Sequence, residues 1–214
     1  GSETIIDSHV VITGRTIIGK KNHFYPFSTI GESPQDMKYK GEDTKLEIGD
    51  RNTIRESCTI NKGTVQDVGV TRLGNDNWIM AYVHIAHDCQ IGNNTIFANN
   101  TTLGGHVEVG DYAIFGGFSG AHQFCKIGSH SFLGIYAGVA KDLPPYVIVT
   151  GQPAVPRGIN IEGLKRRGFT TEQIRNIKNA YKLLYNSDLR LEEAQEKISG
   201  LDEVSNELQV MLEF

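Results

Sequence analysis

The sequence predicts a β protein: a parallel β-helix of hexapeptide repeats followed by a small C-terminal α-helical domain. Three observations carry that reading. Aliphatic-glycine pairs begin at Leu73, Ile91, Val109 and Ile127, each 18 residues after the last. Within each 18, a bulky residue returns every six, through Ile91, Phe97, Leu103, Val109, Phe115, Ala121, Ile127, Leu133 and Val139. Two residues before each stands a mostly small one: Cys89, Thr95, Thr101, Val107, Ala113, Ser119, Cys125, Ser131 and Ala137. Residues two apart share a face of a strand, so both members of each pair point inward. A sustained hexad marks a parallel β-helix in which three short strands close one triangular coil. After Thr170 the period changes from six to a helical one.

Composition limits the alternatives. The 214 residues provide one elongated domain and a small appendage. Net charge is −4, from 21 basic and 25 acidic residues, so nothing draws the whole chain to nucleic acid or an anionic membrane. No apolar run is long enough to span a bilayer, and the start lacks a signal-peptide pattern. Cys58, Cys89 and Cys125 all occupy the small inward position and read as core residues, which fits a reducing cytoplasm.

In chain order, residues 1–30 already carry the pattern, with Ile5, Val11 and Ile18-Gly19. An open first coil would leave apolar surface and unpaired backbone, so further coils or a covering element are expected at that end. Two stretches interrupt the hexads and are expected to be outward loops, at about 31–45 and 61–72. The first holds Pro34-Gln35-Asp36-Met37-Lys38-Tyr39, a candidate substrate clamp. Trp78 and Tyr82 are placed to pack between subunits. Glycine or alanine follows most of the aliphatic residues, where a tight turn is expected. Asp142-Leu-Pro144-Pro145 should stop the ladder, because proline cannot donate to it. The β-helix is therefore assigned to 1–156 and the helical domain to 157–214. Thr170-Thr-Glu-Gln173 is a capping box before Ile174, Ile177, Tyr181 and Leu184 at helical spacing. Two further helices are expected over Leu191–Ser199 and Asp202–Phe214, the last with Val204, Leu208, Met211 and Leu212 on one face.

The candidate chemistry lies in His84-Ile-Ala-His87-Asp88-Cys89. His87 falls two residues after the inward Ile85, at a corner where side chains project out. One coil later come Gly105 and His106, and two coils later His122 and Gln123, roughly along one edge. Single surface histidines are ordinary, but several near one edge beside an acid favour a site. A neutral imidazole is a suitable base near pH 7, and Asp88 can orient it. The residues alone leave zinc chemistry of the trimeric β-helix carbonic anhydrase type open, since His84, His87, His106 and His122 offer enough ligands. They also leave open a binding scaffold without catalysis.

These motifs, with His122-Gln123-Phe124-Cys125 and Asn160-Ile-Glu162-Gly-Leu-Lys165-Arg166-Arg167-Gly-Phe169, resemble the UDP-N-acetylglucosamine O-acyltransferase family over nearly the whole chain. The resemblance implies a homotrimer of left-handed β-helices with active sites between subunits. It implies transfer of a 3-hydroxyacyl chain from acyl carrier protein to the glucosamine 3-hydroxyl of UDP-N-acetylglucosamine, the first step of lipid A biosynthesis in the cytoplasm. No metal or cofactor is implied. His87 matches the general base and Gly105 the backbone oxyanion donor, with Asp88 beside the base. The matching substrate contacts are Gln35, Asp36, Lys38, His84, His106, His122, Gln123, Asn160, Glu162, Arg166 and Arg167. The family has roughly two more coils before residue 1 and a short basic tail after Phe214, and Asn61 stands where it commonly has a histidine. Ile135 matches the residue that closes the acyl groove. A rise of roughly 13 Å from His87 to Ile135 leaves room for about ten to twelve carbons. The arginine pair suits a nucleotide diphosphate, and the basic surface from Lys165 through Arg175, Lys178 and Lys182 suits an acidic carrier protein.

Overall fold

The computed structural model describes residues 1–200 and 205–214. Its strands stack into three sheets, the faces of a left-handed triangular prism. The coil containing the histidine stretch shows the plan. Trp78–Ile79 lies on the first face, His84–Ile85 on the second and Gln90–Ile91 on the third. The next coil repeats this exactly 18 residues on, with Trp78 paired to Ile96, His84 to Thr102 and Gln90 to Glu108, all parallel. The first face has nine strands, the second seven and the third six.

The hexad produces this register because every inward position is apolar or small. All nine bulky residues from Ile91 to Val139 and all nine small partners from Cys89 to Ala137 are buried in one continuous core. Burial of each large aliphatic or aromatic side chain contributes about 1.5–3 kcal/mol. Buried Asn22, Asn52, Asn77 and Thr95 add a hydrogen-bonded ladder along one corner, where each Asn side-chain oxygen accepts the backbone N–H of the residue one coil on.

The corners differ from expectation in one respect. From Leu73 on, the glycines after the aliphatic residues do not hold the left-handed backbone. That conformation falls two residues later, at Asp76, Tyr82, Asp88, Asn94, Asn100, His106, Tyr112, Phe118 and Phe124, with φ between 56° and 68°. The glycines serve close stacking instead. A Cβ on Gly74 would stand 2.4 Å from the Gly92 carbonyl oxygen, and one on Gly92 would stand 2.3 Å from Asp111 Oδ1.

Three other expectations shift. In the first coil, Ile6 pairs with Phe24 and Ile12 with Ile30. The inward register therefore belongs to Ile6 and Ile12 rather than to Ile5 and Val11, since a slip of one residue exchanges faces. The proline pair does not end the ladder: Leu143 bridges to Ile127, and Val147–Thr150 pairs in parallel with Phe132–Leu133. Proline forfeits only its own N–H, and neither proline occupies a paired position. The strand Val155–Ile159 then returns antiparallel, three residues beyond the expected boundary at 156.

Among the described residues, four helices follow. These are α1 (Ile161–Arg166), α2 (Thr171–Tyr185), α3 (Leu191–Ser199) and α4 (Asn206–Leu212). Both halves of the Thr170/Gln173 capping box form. Ile177, Ile198, Leu208 and Met211 pack around Tyr146, Ile159 and Leu164 in a second core. The first part of the expected 202–214 helix, with Val204, lies outside the described residues. No helix among the described residues is long and apolar enough to cross a membrane.

Candidate active site

The corner between the second and third faces carries the histidines. Two adjacent columns run along it, one residue apart: His87, Gly105 and Gln123, then Asp88, His106 and Phe124. The regular 18-residue coil builds both, because each corner residue lies directly over its counterpart one coil before.

His87 Nδ1 lies 2.9 Å from Asp88 Oδ2. That contact places the proton on Nδ1 and leaves Nε2 as the basic atom. Asp88 is only 1% exposed. Its carboxylate accepts the Thr64 backbone N–H at 3.0 Å and the Thr64 hydroxyl at 2.6 Å. The Asp88 backbone N–H donates to Thr71 Oγ1. Burial acts most strongly on this carboxyl and pushes its pKa up. Hydrogen bonds from His87 and Thr64, with His106 nearby, outweigh burial and hold it below the usual carboxylate value. Asp88 is thus a fixed anion behind the imidazole.

Gly105 lies one coil above His87, directly against its ring. The neighbouring amides are used within the stack: Gly104 N–H donates to Ala121 O, and His106 N–H to His87 O. The Gly105 N–H meets no acceptor among the described residues. A free backbone donor beside a base is the arrangement that acyl transfer needs.

His106 stacks on Phe124, with ring centroids 4.5 Å apart, and meets the His87 ring edge-on at 5.0 Å. Gln35, Asp36 and Lys38 from the first loop, with Asn61, Gln66 and Gln123, complete a cleft of ≈ 530 Å³ around His87 and His106. Asp36 accepts the Lys38 backbone N–H, which leads the causes that lower its pKa. Asn61 holds that loop through Nδ2 to Ser33 O at 3.0 Å. His84 projects from the second face and shares a 2.7 Å hydrogen bond with Thr59 Oγ1. Burial, then the charge of His87, lowers its pKa. His122 is exposed and contacts the Gln123 carbonyl.

The remaining expected residues lie elsewhere in this chain. Asn160 caps α1, accepting the Gly163 N–H and donating to His130 O at 3.0 Å. Arg167 donates to Tyr112 O and lies over the Tyr112 ring, with one guanidinium nitrogen buried and unpaired. Tyr112 and His130 belong to the corner between the third and first faces. Glu162 and Arg166 are exposed on α1. Ile135, 63% exposed, stands at the third corner, between the first and second faces. It lies 48 residues on, between two and three coils above His87 and not on the same edge, so the axial rise alone does not measure a path between them.

Sequence reasoning missed three residues of the second loop. Besides Thr64, Gln66 Nε2 donates to Asp36 Oδ2 at 3.2 Å and Asp67 Oδ2 lies 2.8 Å from His106 Nδ1. The available signal was the insertion itself, seven residues longer than one coil and arriving just before the histidine stretch.

His87, Asp88 and His106 are close enough to share a metal ion. Their donors do not fit a catalytic zinc. Asp88 Oδ2 already takes the Thr64 hydroxyl and His87 Nδ1, and His106 Nδ1 is engaged by Asp67. Within this trio of one chain only the two imidazole Nε2 atoms are left unengaged, where such a site takes three protein ligands.

A hexapeptide β-helix with a carboxylate-held imidazole facing a free backbone donor defines a transferase of the acyl class. Comparison with known proteins specifies it further. Residues 71–105 match the bacterial transferase hexapeptide model, and residues 142–214 match domain 2 of UDP-N-acetylglucosamine O-acyltransferase. The acyl-(acyl carrier protein)–UDP-N-acetylglucosamine O-acyltransferase of Thiobacillus denitrificans is 58% identical over 194 residues, 91% of this chain and 75% of that protein. The LpxA structure from Acinetobacter baumannii superposes with a TM-score of 0.97 at 46% identity, over 99% of this chain and 83% of that one. The UDP-N-acetylglucosamine acyltransferase structure from Francisella novicida gives 0.96 at 45%, over 99% and 78%. The chain belongs to the UDP-N-acetylglucosamine O-acyltransferase family.

Proposed function

We propose that the chain transfers a 3-hydroxyacyl group from acyl carrier protein to the glucosamine 3-hydroxyl of UDP-N-acetylglucosamine, the first step of lipid A synthesis. The observation that carries the catalytic reading is the His87–Asp88 pair packed against Gly105. His87 Nε2 takes the proton of the sugar hydroxyl as the oxygen attacks the thioester carbonyl carbon. Asp88 stabilises the imidazolium without being protonated itself. The Gly105 N–H donates to the oxyanion of the tetrahedral intermediate. The C–S bond then breaks, and the imidazolium returns its proton to the departing thiolate. Gln35, Asp36, Lys38, His84, His106, His122 and Gln123 are assigned to substrate contacts around this centre.

The assembly proposed is a homotrimer with composite sites. Asn160, Glu162, Arg166 and Arg167 occupy a different corner from His87, and a neighbouring subunit brings such a corner to it. Exposed Trp78 and the column of Tyr82, Phe118 and Tyr136 offer the apolar surface for that contact. Exposed Arg175, Lys178 and Lys182 suit an acidic carrier protein, and the reaction is assigned to the cytoplasm as part of the same reading. The deciding experiment incubates purified protein with 3-hydroxyacyl carrier protein and UDP-N-acetylglucosamine. Mass spectrometry should show one hydroxyacyl group gained by the nucleotide sugar, and its absence would overturn the reading.

A further inference from the structure

The second loop ends in a contact that the reaction above does not use. Residues 62–69 leave the stack after the strand Thr59–Asn61 and return at Val70. The loop is anchored at its base, where buried Thr64 binds Asp88. Gly63 permits this approach, since a Cβ there would stand 2.7 Å from Asp88 Oδ1 and 2.3 Å from Val70 N. Three residues beyond the anchor, Asp67 reaches His106 Nδ1 at 2.8 Å.

The surroundings of His106 fix its ring plane but not its protonation pattern. Phe124 covers one face and the His87 ring meets it edge-on. Neither aromatic contact distinguishes Nδ1 from Nε2. Asp88 Oδ2 is 4.0 Å from His106 Nδ1, beyond hydrogen-bond distance, and already serves Thr64 and His87. Asp67 is therefore the group that selects the tautomer. A carboxylate only accepts, so Nδ1 must carry the hydrogen. In the neutral ring Nε2 is then an acceptor.

We propose that Asp67 is a positioning residue, holding His106 as the Nδ1–H tautomer so that Nε2 accepts a hydrogen bond from a hydroxyl group of the substrate. The corner then contains two parallel carboxylate–imidazole pairs. Asp88–His87 supplies the base, and Asp67–His106 supplies an oriented acceptor beside it. The acceptor role rests on the acyltransferase reading of the cleft; the tautomer does not.

Two measurements test this separately. Histidine side-chain ¹⁵N spectra, assigned with His106→Gln, should show the Nδ1–H tautomer of His106 in the wild type. Asp67→Asn, whose amide oxygen still accepts, should preserve it, whereas Asp67→Ala should shift His106 toward Nε2–H, the favoured form of free imidazole. An unchanged tautomer in Asp67→Ala would overturn the proposal, whether or not the protein transfers acyl groups. In the transfer assay Asp67→Ala should lower kcat/KM about tenfold, with Asp67→Asn close to wild type. In a His106→Ala background Asp67→Ala should cost nothing further, because it acts only through that ring. An equal loss in both backgrounds would show that Asp67 acts some other way. No transfer by the wild type would defeat the functional reading while leaving the tautomer result standing.

Discussion

A methyl group on Gly105 would stand 2.5 Å from Cε1 and 2.7 Å from Nε2 of His87, closer than carbon atoms approach in folded proteins. The imidazole is the flexible partner, so it would move rather than the β-helix. We therefore expect Gly105→Ala to keep its circular dichroism spectrum and melting temperature while losing about 10²-fold in kcat, as a 1 Å misplacement of a reacting group does. Full activity in this variant would show that His87 need not lie against residue 105.

His87→Ala should remain folded and lose roughly 10²–10⁴-fold or more in transfer, the contribution of a general base. Asp88→Asn should also lose activity, because an amide cannot stabilise the imidazolium. Steady-state kinetics with both substrates saturating measures each loss. A fully active His87→Ala protein would remove the base from the mechanism.

The distance between the His87 corner and the Arg167 corner predicts complementation. His87→Ala and Arg166→Ala/Arg167→Ala proteins should each be inactive alone. Refolded together, they should recover part of the wild-type rate, since some sites in mixed trimers receive an intact half from each. Sedimentation should give three chains per particle. A monomer at micromolar concentration would contradict composite sites.

His130 predicts a pH dependence of stability. Its ring is stacked among Tyr112, Tyr146 and Phe169, and its buried Nδ1 has no partner. Burial first, then the Arg167 charge, lowers its pKa to about 4, with Asp111 opposing. Between the ordinary value of 6.5 and about 4 the unfolded chain binds more protons than the folded one. Stability therefore falls as pH drops through that window, by at most ~3 kcal/mol from this group. His130→Phe keeps the stack and removes the titration. Urea denaturation at pH 7 and pH 4.5, at fixed protein concentration, should show a smaller loss in the variant than in the wild type.

Ile135 predicts acyl-chain selection. If this exposed isoleucine closes the groove, Ile135→Gly should move the kcat/KM optimum toward longer chains. Each additional buried methylene contributes about 0.8 kcal/mol. Carrier proteins bearing hydroxyacyl chains of graded length provide the series, and an unchanged optimum would assign the limit to another residue.

The fold was legible because the hexad is local and strict. A side chain at Phe97 or Leu133 reads the same whichever coil lies beneath it, and 18 residues always complete a turn. The capping box at Thr170 and the apolar spacing of α2 are local in the same sense. The edge of histidines followed from adding 18 to 87. Its division into two columns followed from the same step, 88 leading to His106 and Phe124; only the left-handed backbone at Asp88 and His106, rather than at a glycine, needed the structure.

The sequence by itself determined the prism, its register from Leu73 on and the outward placement of His87, since each depends only on residues a fixed number apart. Tertiary structure decided what the loops do. Asp67 and His106 are 39 residues apart, and nothing periodic connects an inserted loop to the coil it folds over. Tertiary structure also separated Arg167 from His87 by packing α1 at another corner, whereas the corner of Ile135 already follows from its 48-residue offset from His87, two coils and two thirds of a third. A repeat fixes both height and corner, but an insertion or a terminal helix answers only to the packing and hydrogen bonds it meets once the stack has formed.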